Sequence, residues 1–432
     1  MKKKLVSVLL CTAMVGTMLV GCGGGSKDAG STDKAASTEK TADAVQYVSM
    51  WSDTEPQAET ISAAAEAFEK ETGIQVQIEF AGRQGIREGL QTRLDAKENI
   101  DMFDEDIDRV NGQWGDYLLE LDDYVKADYN GKAYKDYINP SFDNIYTAAT
   151  ELGGGKLKTI PYQPFVFDMV YNKTIFKEAG VTETPKTWDE FLAACEKIKA
   201  AGYTPLTVDN AYISCLLGYT LAEFVGADGV EDIVMNDDWS NEAVLKSVKL
   251  WQEMFDKGYI SEYAATNIYP NAQTTEFAPG DAAMYLNGTW LANEIKADVD
   301  SEKVEMGIFA FPAISGGVNG PEAANFGSQV LAINKDSDKA DEAFQFIAYL
   351  TTGEWDAKLS ENTLGIPMDA TNSWPAELSD AEAMFPTLTT RYPWAANMDN
   401  NTDNTDAILS NFTEVISGGK TAEDFVSAMS GK

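Results

Sequence analysis

Val45-Gln46-Tyr47-Val48-Ser49-Met50-Trp51 is an apolar, strand-like run that ends in Ser52-Asp53, and Pro56 then opens a helix. Ile61, Ala64, Ala65 and Phe68 fall on one face of that helix, and Gly73 stops it. Ile74, Val76, Ile78 and Phe80 alternate with Gln75, Gln77 and Glu79, the period of a strand. Ile86, Leu90 and Leu94 make the next helical stripe, and a short strand follows near Met102-Phe103. Strand–helix–strand–helix–strand predicts an α/β fold: a parallel sheet with helices on its faces. Ligands collect at the carboxyl ends of strands in such sheets.

A second α/β block follows Pro161. Phe165 to Tyr171 reads as a strand, and Thr187-Trp188-Asp189-Glu190 is a capping-box pattern. It opens a helix with Trp188, Phe191, Leu192, Cys195 and Ile198 on one side; Gly202 ends it, and Leu206 with Val208 suggests another strand. Val244, Val248, Trp251 and Phe255 stripe a further helix that stops at Gly258. Val330 to Ile333 reads as a late strand, and Ala343, Phe344, Ile347 and Leu350 as the helix after it. No short internal repeat interrupts this order, which predicts two α/β lobes.

Composition narrows the function. The chain has 69 acidic against 33 basic residues and a net charge of −36, which repels nucleic acid and anionic lipid heads. It has no histidine. Ser-His-Asp and Cys-His catalysis and histidine-containing zinc sites are therefore excluded. With 44% hydrophobic and 11% aromatic residues it can bury a large core. Of its four cysteines, Cys195 lies on an apolar helix face, so a buried thiol is expected, with a disulfide to Cys215 as the alternative.

The first residues read as an export signal. Lys2, Lys3 and Lys4 precede the short apolar run Leu5 to Val20, too short and lightly flanked for a membrane span. Leu19-Val20-Gly21-Cys22 resembles the lipobox of bacterial lipoproteins, which implies cleavage after residue 21 and a diacylglycerol on the Cys22 sulfur. A plain signal peptide that leaves Cys22 a free thiol is the alternative. Residues 23–44, rich in Gly, Ser, Thr, Ala, Lys and Asp, read as a tether. Roughly 22 such residues give an r.m.s. reach of about 26 Å.

Several stretches carry a family resemblance. Ala67-Phe68-Glu69-Lys70-Glu71-Thr72-Gly73-Ile74, Tyr171-Asn172-Lys173-Thr174-Ile175-Phe176-Lys177-Glu178-Ala179-Gly180 and Pro185-Lys186-Thr187-Trp188-Asp189-Glu190-Phe191 are three of them. Gly280-Asp281-Ala282-Ala283-Met284-Tyr285-Leu286-Asn287-Gly288-Thr289-Trp290 and Gly365-Ile366-Pro367 are two more. In this order they resemble the carbohydrate-type extracellular solute-binding proteins of bacterial ABC importers. The resemblance implies a two-lobed periplasmic-binding-protein-like fold of class II, each lobe a mostly parallel sheet flanked by helices. A ligand cleft would lie between the lobes. One lobe would hold 45–165 and 313–352, the other 166–312 and 353–432. It further implies a monomeric, non-enzymatic receptor with no cofactor and no metal, whose hinged closure presents a sugar to ABC permease transmembrane subunits.

A sugar needs flat rings for its C–H faces and polar groups for its hydroxyls. Trp188, Trp251, Phe68 and Phe344 sit on helical stripes and read as packing. Trp51, Ser52 and Asp53 end the first strand, where the resemblance implies ligand contacts. Arg83 follows the second strand, and Tyr162 with Gln163 lies at the first expected crossing between lobes. Asp108-Arg109 resembles an acidic-basic pair that contacts hydroxyls, although the acid-rich run from Asp101 reads equally as a solvated loop. Trp290, after Asn287-Gly288, matches a stacking tryptophan. Asn325, Phe326 and Gln329 flank a strand entry, and Arg391-Tyr392-Pro393-Trp394 is an aromatic-basic cluster in a loop. Trp51, Trp290 and Trp394 stand first among these.

Other patterns carry less. Gly153-Gly154-Gly155-Lys156 is followed by Leu157 rather than Ser or Thr, so it reads as a turn. Asp399, Asn401 and Asp403 begin like a calcium loop, but Asn404 and Ser410 break the pattern. A secreted glycosidase using a carboxylate pair and a tethered sugar-sensor subunit are the competing functions. A non-sugar solute is also compatible with the fold.

Overall fold

The computed structural model describes residues 43–431. The export signal, Cys22 and nearly all of the expected tether lie outside the described residues.

The elements run β1 (Val45–Ser49), α1 (Pro56–Thr72), β2 (Val76–Phe80), α2 (Gly82–Asp95), β3 (Met102–Asp106) and α3 (Ile107–Trp114). After a small hairpin, β4 (Asp128–Tyr129) and β5 (Lys132–Ala133), come α4 (Asp143–Leu152) and the long β6 (Thr159–Asn172). Then follow α5 (Lys173–Glu178), α6 (Trp188–Ala200), β7 (Thr204–Thr207), α7 (Ile213–Met235), α8 (Glu242–Asp256), β8 (Ala282–Gly288), α9 (Leu291–Glu294) and β9 (Met306–Phe309). The chain closes with β10 (Ala323–Ile333), α10 (Ala340–Leu350), α11 (Gly353–Thr363), α12 (Ser379–Met384), β11 (Thr390–Arg391), α13 (Thr402–Ile416) and α14 (Ala422–Ser430).

The predicted β–α–β–α–β opening is present. Ile61, Ala64, Ala65 and Phe68 of α1 are all buried, and Phe68 packs on Phe346 with ring centroids 5.5 Å apart. Burying such a ring stabilises by about 1.5–3 kcal/mol. Gly73 ends the helix at φ 78°, a left-handed C-cap that glycine adopts without a Cβ clash. Thr187 and Glu190 form the capping box of α6.

The main sheet has strand order β2-β1-β3-β10-β6-β8-β7, with β11 beside β10 and β9 beside β6. Pairing is parallel at both ends, in β2-β1-β3 and in β8-β7, and antiparallel through β10 and β6. These two strands belong to both halves. The start of β6 and the end of β10 extend the β1–β3 half, and their other portions extend the β7–β9 half. Their mutual register breaks once: Ser328 pairs with Pro164 but Gln329 pairs with Tyr162. Gln163, the extra residue, stands at φ 50°, so the bulge bends the ladder where one half gives way to the other. Its amide donates to the Thr363 hydroxyl at 3.1 Å.

Two segments make contacts across the expected lobe boundaries. Helix α11 lies against α1, with the Asn362 amide donating to the Thr60 hydroxyl at 2.9 Å, so 353–363 sits with the first half. Ala313 bridges to Thr187 at the head of α6, and Val318 N–H donates to the Glu223 carbonyl of α7, so 313–318 sits with the second. α12 returns to the second half against β9.

The acid-rich run from Asp101 is not a solvated loop. It is β3, with Asp104 and Glu105 fully buried. Each buried carboxylate has partners: Asp104 accepts from Met50 N–H at 2.8 Å, and Glu105 from Arg87 Nε at 2.6 Å. Cys195 and Cys215 are buried free thiols, not a disulfide. Gly153–Gly155 closes α4 as a turn, and Asn401 caps α13 by accepting from Asp403 N–H. Helix α7 is apolar enough by composition to cross a membrane, but most of it is core, including Cys215, Leu216, Leu217, Tyr219, Leu221 and Ala222.

Candidate functional site

The carboxyl ends of β1 and β3, the crossing of β6 with β10, and the segments after β8 and β11 bring most of the expected residues into one neighbourhood. In the first half, Trp51 is 5% exposed and its indole N–H donates to the Tyr162 hydroxyl at 2.7 Å. Tyr162 in turn donates to the Asp104 carboxylate. Burial pushes Asp104 up to about 6. Arg83 lies 4.7 Å over the Trp51 ring and pairs with Glu55 at 2.8 Å. The same Glu55 carboxylate accepts from Ser52 N–H at 2.8 Å and Ser52 Oγ at 3.0 Å, which closes the turn into α1. Asp53 is exposed.

The second half supplies aromatics around Phe167. Trp290 stacks on it at 5.7 Å and 23°, and meets Phe165 edge-on at 5.4 Å. Trp394 lies 5.3 Å from Phe167 and 6.0 Å from Tyr212, and remains 40% exposed. Tyr212 meets Tyr269 at 5.9 Å, and the Tyr269 hydroxyl donates to Glu294 at 2.7 Å. Burial is the largest influence raising both Tyr269 and Glu294, and the Arg83 charge of the first half pulls the other way on each. Trp394 is held by backbone strain: Ala395, Ala396 and Asn397 stand at φ 49°, 49° and 70°. Three successive non-glycine residues in that region persist only when the surroundings fix them.

Trp290 depends on the glycine two positions before it. A Cβ on Gly288 would lie 2.2 Å from the Trp290 ring, and the ring is already stacked on Phe167. Gly288→Ala is expected to displace the indole and lower stability by about 1–3 kcal/mol in chemical denaturation. Unchanged stability would show that the ring moves aside freely.

The remaining expected residues divide. Asp108, in the first turn of α3, takes a bidentate pair from Arg391 at 3.0 and 2.6 Å. Arg109 turns away from Asp108, to Glu105 at 3.3 Å and Gln113 at 3.3 Å. Asn287 and Phe326 are covered within the sheet, so the structure brings neither to a surface. Asn287 Oδ1 accepts from Gly288 N–H at 2.7 Å, while its Nδ2 and the Gln329 Oε1 are buried without a protein partner. Asn325 is likewise buried and donates to the Tyr392 carbonyl at 2.7 Å.

Glu55, Phe165, Phe167, Tyr212, Tyr269 and Glu294 join the site without being singled out by the sequence. Tyr212 follows β7, Tyr269 lies between α8 and β8, and neither carries a periodic signal. Among the described residues no group of three or more acidic, histidine or cysteine side chains is arranged to hold a metal ion.

Two α/β halves joined by crossing strands, with an aromatic cluster on one side of the junction, define a two-lobed α/β architecture. The sequence profile of the bacterial extracellular solute-binding proteins matches residues 51–357, and the chain belongs to that family. It is 29% identical over 247 residues to the multiple sugar-binding protein of Streptococcus mutans, spanning 54% of this chain and 56% of that one. It is 24% identical over 378 residues to the diacetylchitobiose-binding protein DasA of Streptomyces coelicolor, spanning 85% and 82%. The GacH receptor of Streptomyces glaucescens, solved unliganded and with acarbose, has the same fold at TM-score 0.65 and 19% identity, covering 91% of this chain and 97% of that one.

Proposed function

We propose that this protein is a non-enzymatic receptor that captures a sugar or oligosaccharide between its halves and delivers it to the transmembrane subunits of an ABC permease. The single observation that carries the reading is Trp394, 40% exposed on a base of Phe167, a residue of the crossing strand β6. An indole with two-fifths of its surface exposed and its other side backed by rings suits the apolar face of a pyranose. Arg83, Glu55 and Glu294 supply charged partners for hydroxyls, and the unpartnered Gln329 Oε1 stands at the crossing itself. Relatives named for sugar and chitobiose binding support the same ligand class.

On this reading Cys22 carries the lipid, residues 23–44 tether the head, and the protein works as a monomer on the outer face of a Gram-positive cytoplasmic membrane. The lobes are 45–162 with 329–363 and 164–328 with 379–431, joined at Gln163, at the bulge beside Ser328 and by the segment after α11.

A thermal-shift panel of mono- and oligosaccharides tests this. A ligand at 100 times its Kd stabilises by about 2.7 kcal/mol. Trp394→Ala is expected to abolish the shift while leaving the unliganded midpoint within about 2 °C, since the ring is partly in solvent. The sugar is expected back intact. Hydrolysis products would establish the glycosidase instead, and no shift with any sugar would end the carbohydrate reading.

A further inference from the structure

We infer that Asp108 and Arg391 form a latch between the two halves, positioning the Trp394 segment against the first half rather than contacting ligand hydroxyls. The inference rests on the receptor reading only for what the latch closes upon.

Asp108 sits in the first turn of α3, directly after β3, whose neighbours are β1 and β10. Its own N–H donates to Asp106 Oδ1 at 2.9 Å, which caps the helix and fixes where the Asp108 side chain starts. Arg391 sits in β11, which pairs with Ala323 and Ala324, the part of β10 farthest from β3. The two residues are 283 positions apart and belong to opposite halves.

The guanidinium is committed on both edges. Nη1 and Nη2 donate to the two Asp108 oxygens at 3.0 and 2.6 Å, the planar fork that arginine offers a carboxylate. Nε donates to the Phe326 carbonyl at 2.8 Å, in the crossing strand just before the bulge. One side chain thus ties α3 of the first half, the crossing strand, and the stretch that leads through Tyr392 and Pro393 to Trp394. The Arg391 side chain is 14% exposed and that of Asp108 35%, so solvent reaches the pair from the carboxylate side and screens it only in part. Arg109, which the resemblance couples to Asp108, is already engaged by Glu105. With both oxygens bound to Arg391, the orientation of the Asp108 carboxylate is set by the arginine, and about half of its acceptor sites are taken up by it.

A latch of this kind acts on residence time. Opening must break both charge-assisted bonds, while the encounter with ligand occurs in the open form, where they are already absent. Losing the pair should therefore raise koff more than it lowers kon.

The test uses the full chain as Asp108→Asn, Arg391→Gln and the exchanged pair Asp108→Arg with Arg391→Asp. Small-angle scattering of the unliganded proteins reads compactness without any ligand. Stopped-flow tryptophan fluorescence with the best sugar of the panel reads the two rate constants. Each single variant is expected to expand the unliganded ensemble and raise koff by tenfold or more with kon changed less than threefold. The exchanged pair is expected to recover much of both. Unchanged compactness and koff in the singles would overturn the latch. So would losses that fall on kon and are not recovered by exchange, since that pattern belongs to independent ligand contacts. If no sugar binds, the scattering still decides the latch, and the receptor reading fails by itself.

Discussion

Trp51→Ala is expected to lower the stability of the unliganded protein by about 3–5 kcal/mol, the usual cost of removing a buried aromatic. The indole is 5% exposed, at the end of a strand whose five residues are all buried. Its N–H supplies the Tyr162 hydroxyl, which donates onward to Asp104, and Asp104 also anchors Met50 N–H. Truncation therefore leaves a cavity, takes away a donor in a buried network and strips Arg83 of the ring beneath it. Trp51→Phe, which keeps most of the volume but loses the N–H, is expected to cost about 1–2 kcal/mol. Chemical denaturation of the unliganded variants measures both. An unchanged midpoint for Trp51→Ala would show that the ring is dispensable to the fold and free to face a ligand. Any loss of sugar binding in this variant thus reports on the fold first, whereas the same loss in Trp394→Ala reports on the ligand.

That contrast shows how far a sequence can be read. Trp51, Trp290 and Trp394 all end a strand or sit in a loop, and from that position each is equally eligible for a ligand. Only packing separates them: one is buried on a tyrosine, one stacked over Gly288, one left in water. The β–α–β–α–β opening is legible because α1 carries one clean apolar face and β2 alternates cleanly, so periodicity and packing agree. The crossing strands read short for the opposite reason. Phe165–Tyr171 is the apolar part of β6, but the strand begins at Thr159 and passes through Pro161 and Pro164. Proline ordinarily ends a strand because it cannot donate to the ladder, and here the ladder slips at that very place. Likewise Val330–Ile333 is the greasy end of β10, while Asn325, Gly327, Ser328 and Gln329 hide its beginning. Ser328 is satisfied by donating to the Tyr162 carbonyl at 2.6 Å, a tertiary partner that no window of sequence contains. The Asp108–Arg391 pair escapes a linear reading for the same reason. Each residue stands out alone, and 283 positions of chain separate them.

The same buried polar chemistry is expected to make the fold more stable in mild acid than at pH 8. Burial is the largest influence raising Asp104, Asp209 and Asp356 to about 6, and Asp106 and Glu223 to about 7; Asp168 is raised well above the ordinary carboxyl value as well. A carboxyl whose folded pKa exceeds its unfolded value holds its proton more tightly in the native state. Its contribution to stability is fully present below the unfolded value near 4 and is lost as pH rises through the folded value near 6–7. All six groups are shifted the same way, so their contributions to the pH dependence add rather than cancel. The net charge of −36 acts in the same direction, because protonation relieves self-repulsion. With no histidine in the chain, no side chain of ordinary pKa near neutrality obscures the window. The thermal midpoint is therefore expected to climb as pH falls from 8 to about 5, read by differential scanning calorimetry in buffers of one ionic strength. Glu223→Gln offers a single-site check, since Glu223 Oε2 is buried without a partner and a neutral amide removes the charge that burial penalises. That variant is expected to flatten the slope between pH 8 and 6 and to gain stability at pH 8 relative to the parent. A midpoint that stays level or drops across the window would mean that water or a cation reaches these carboxylates in solution.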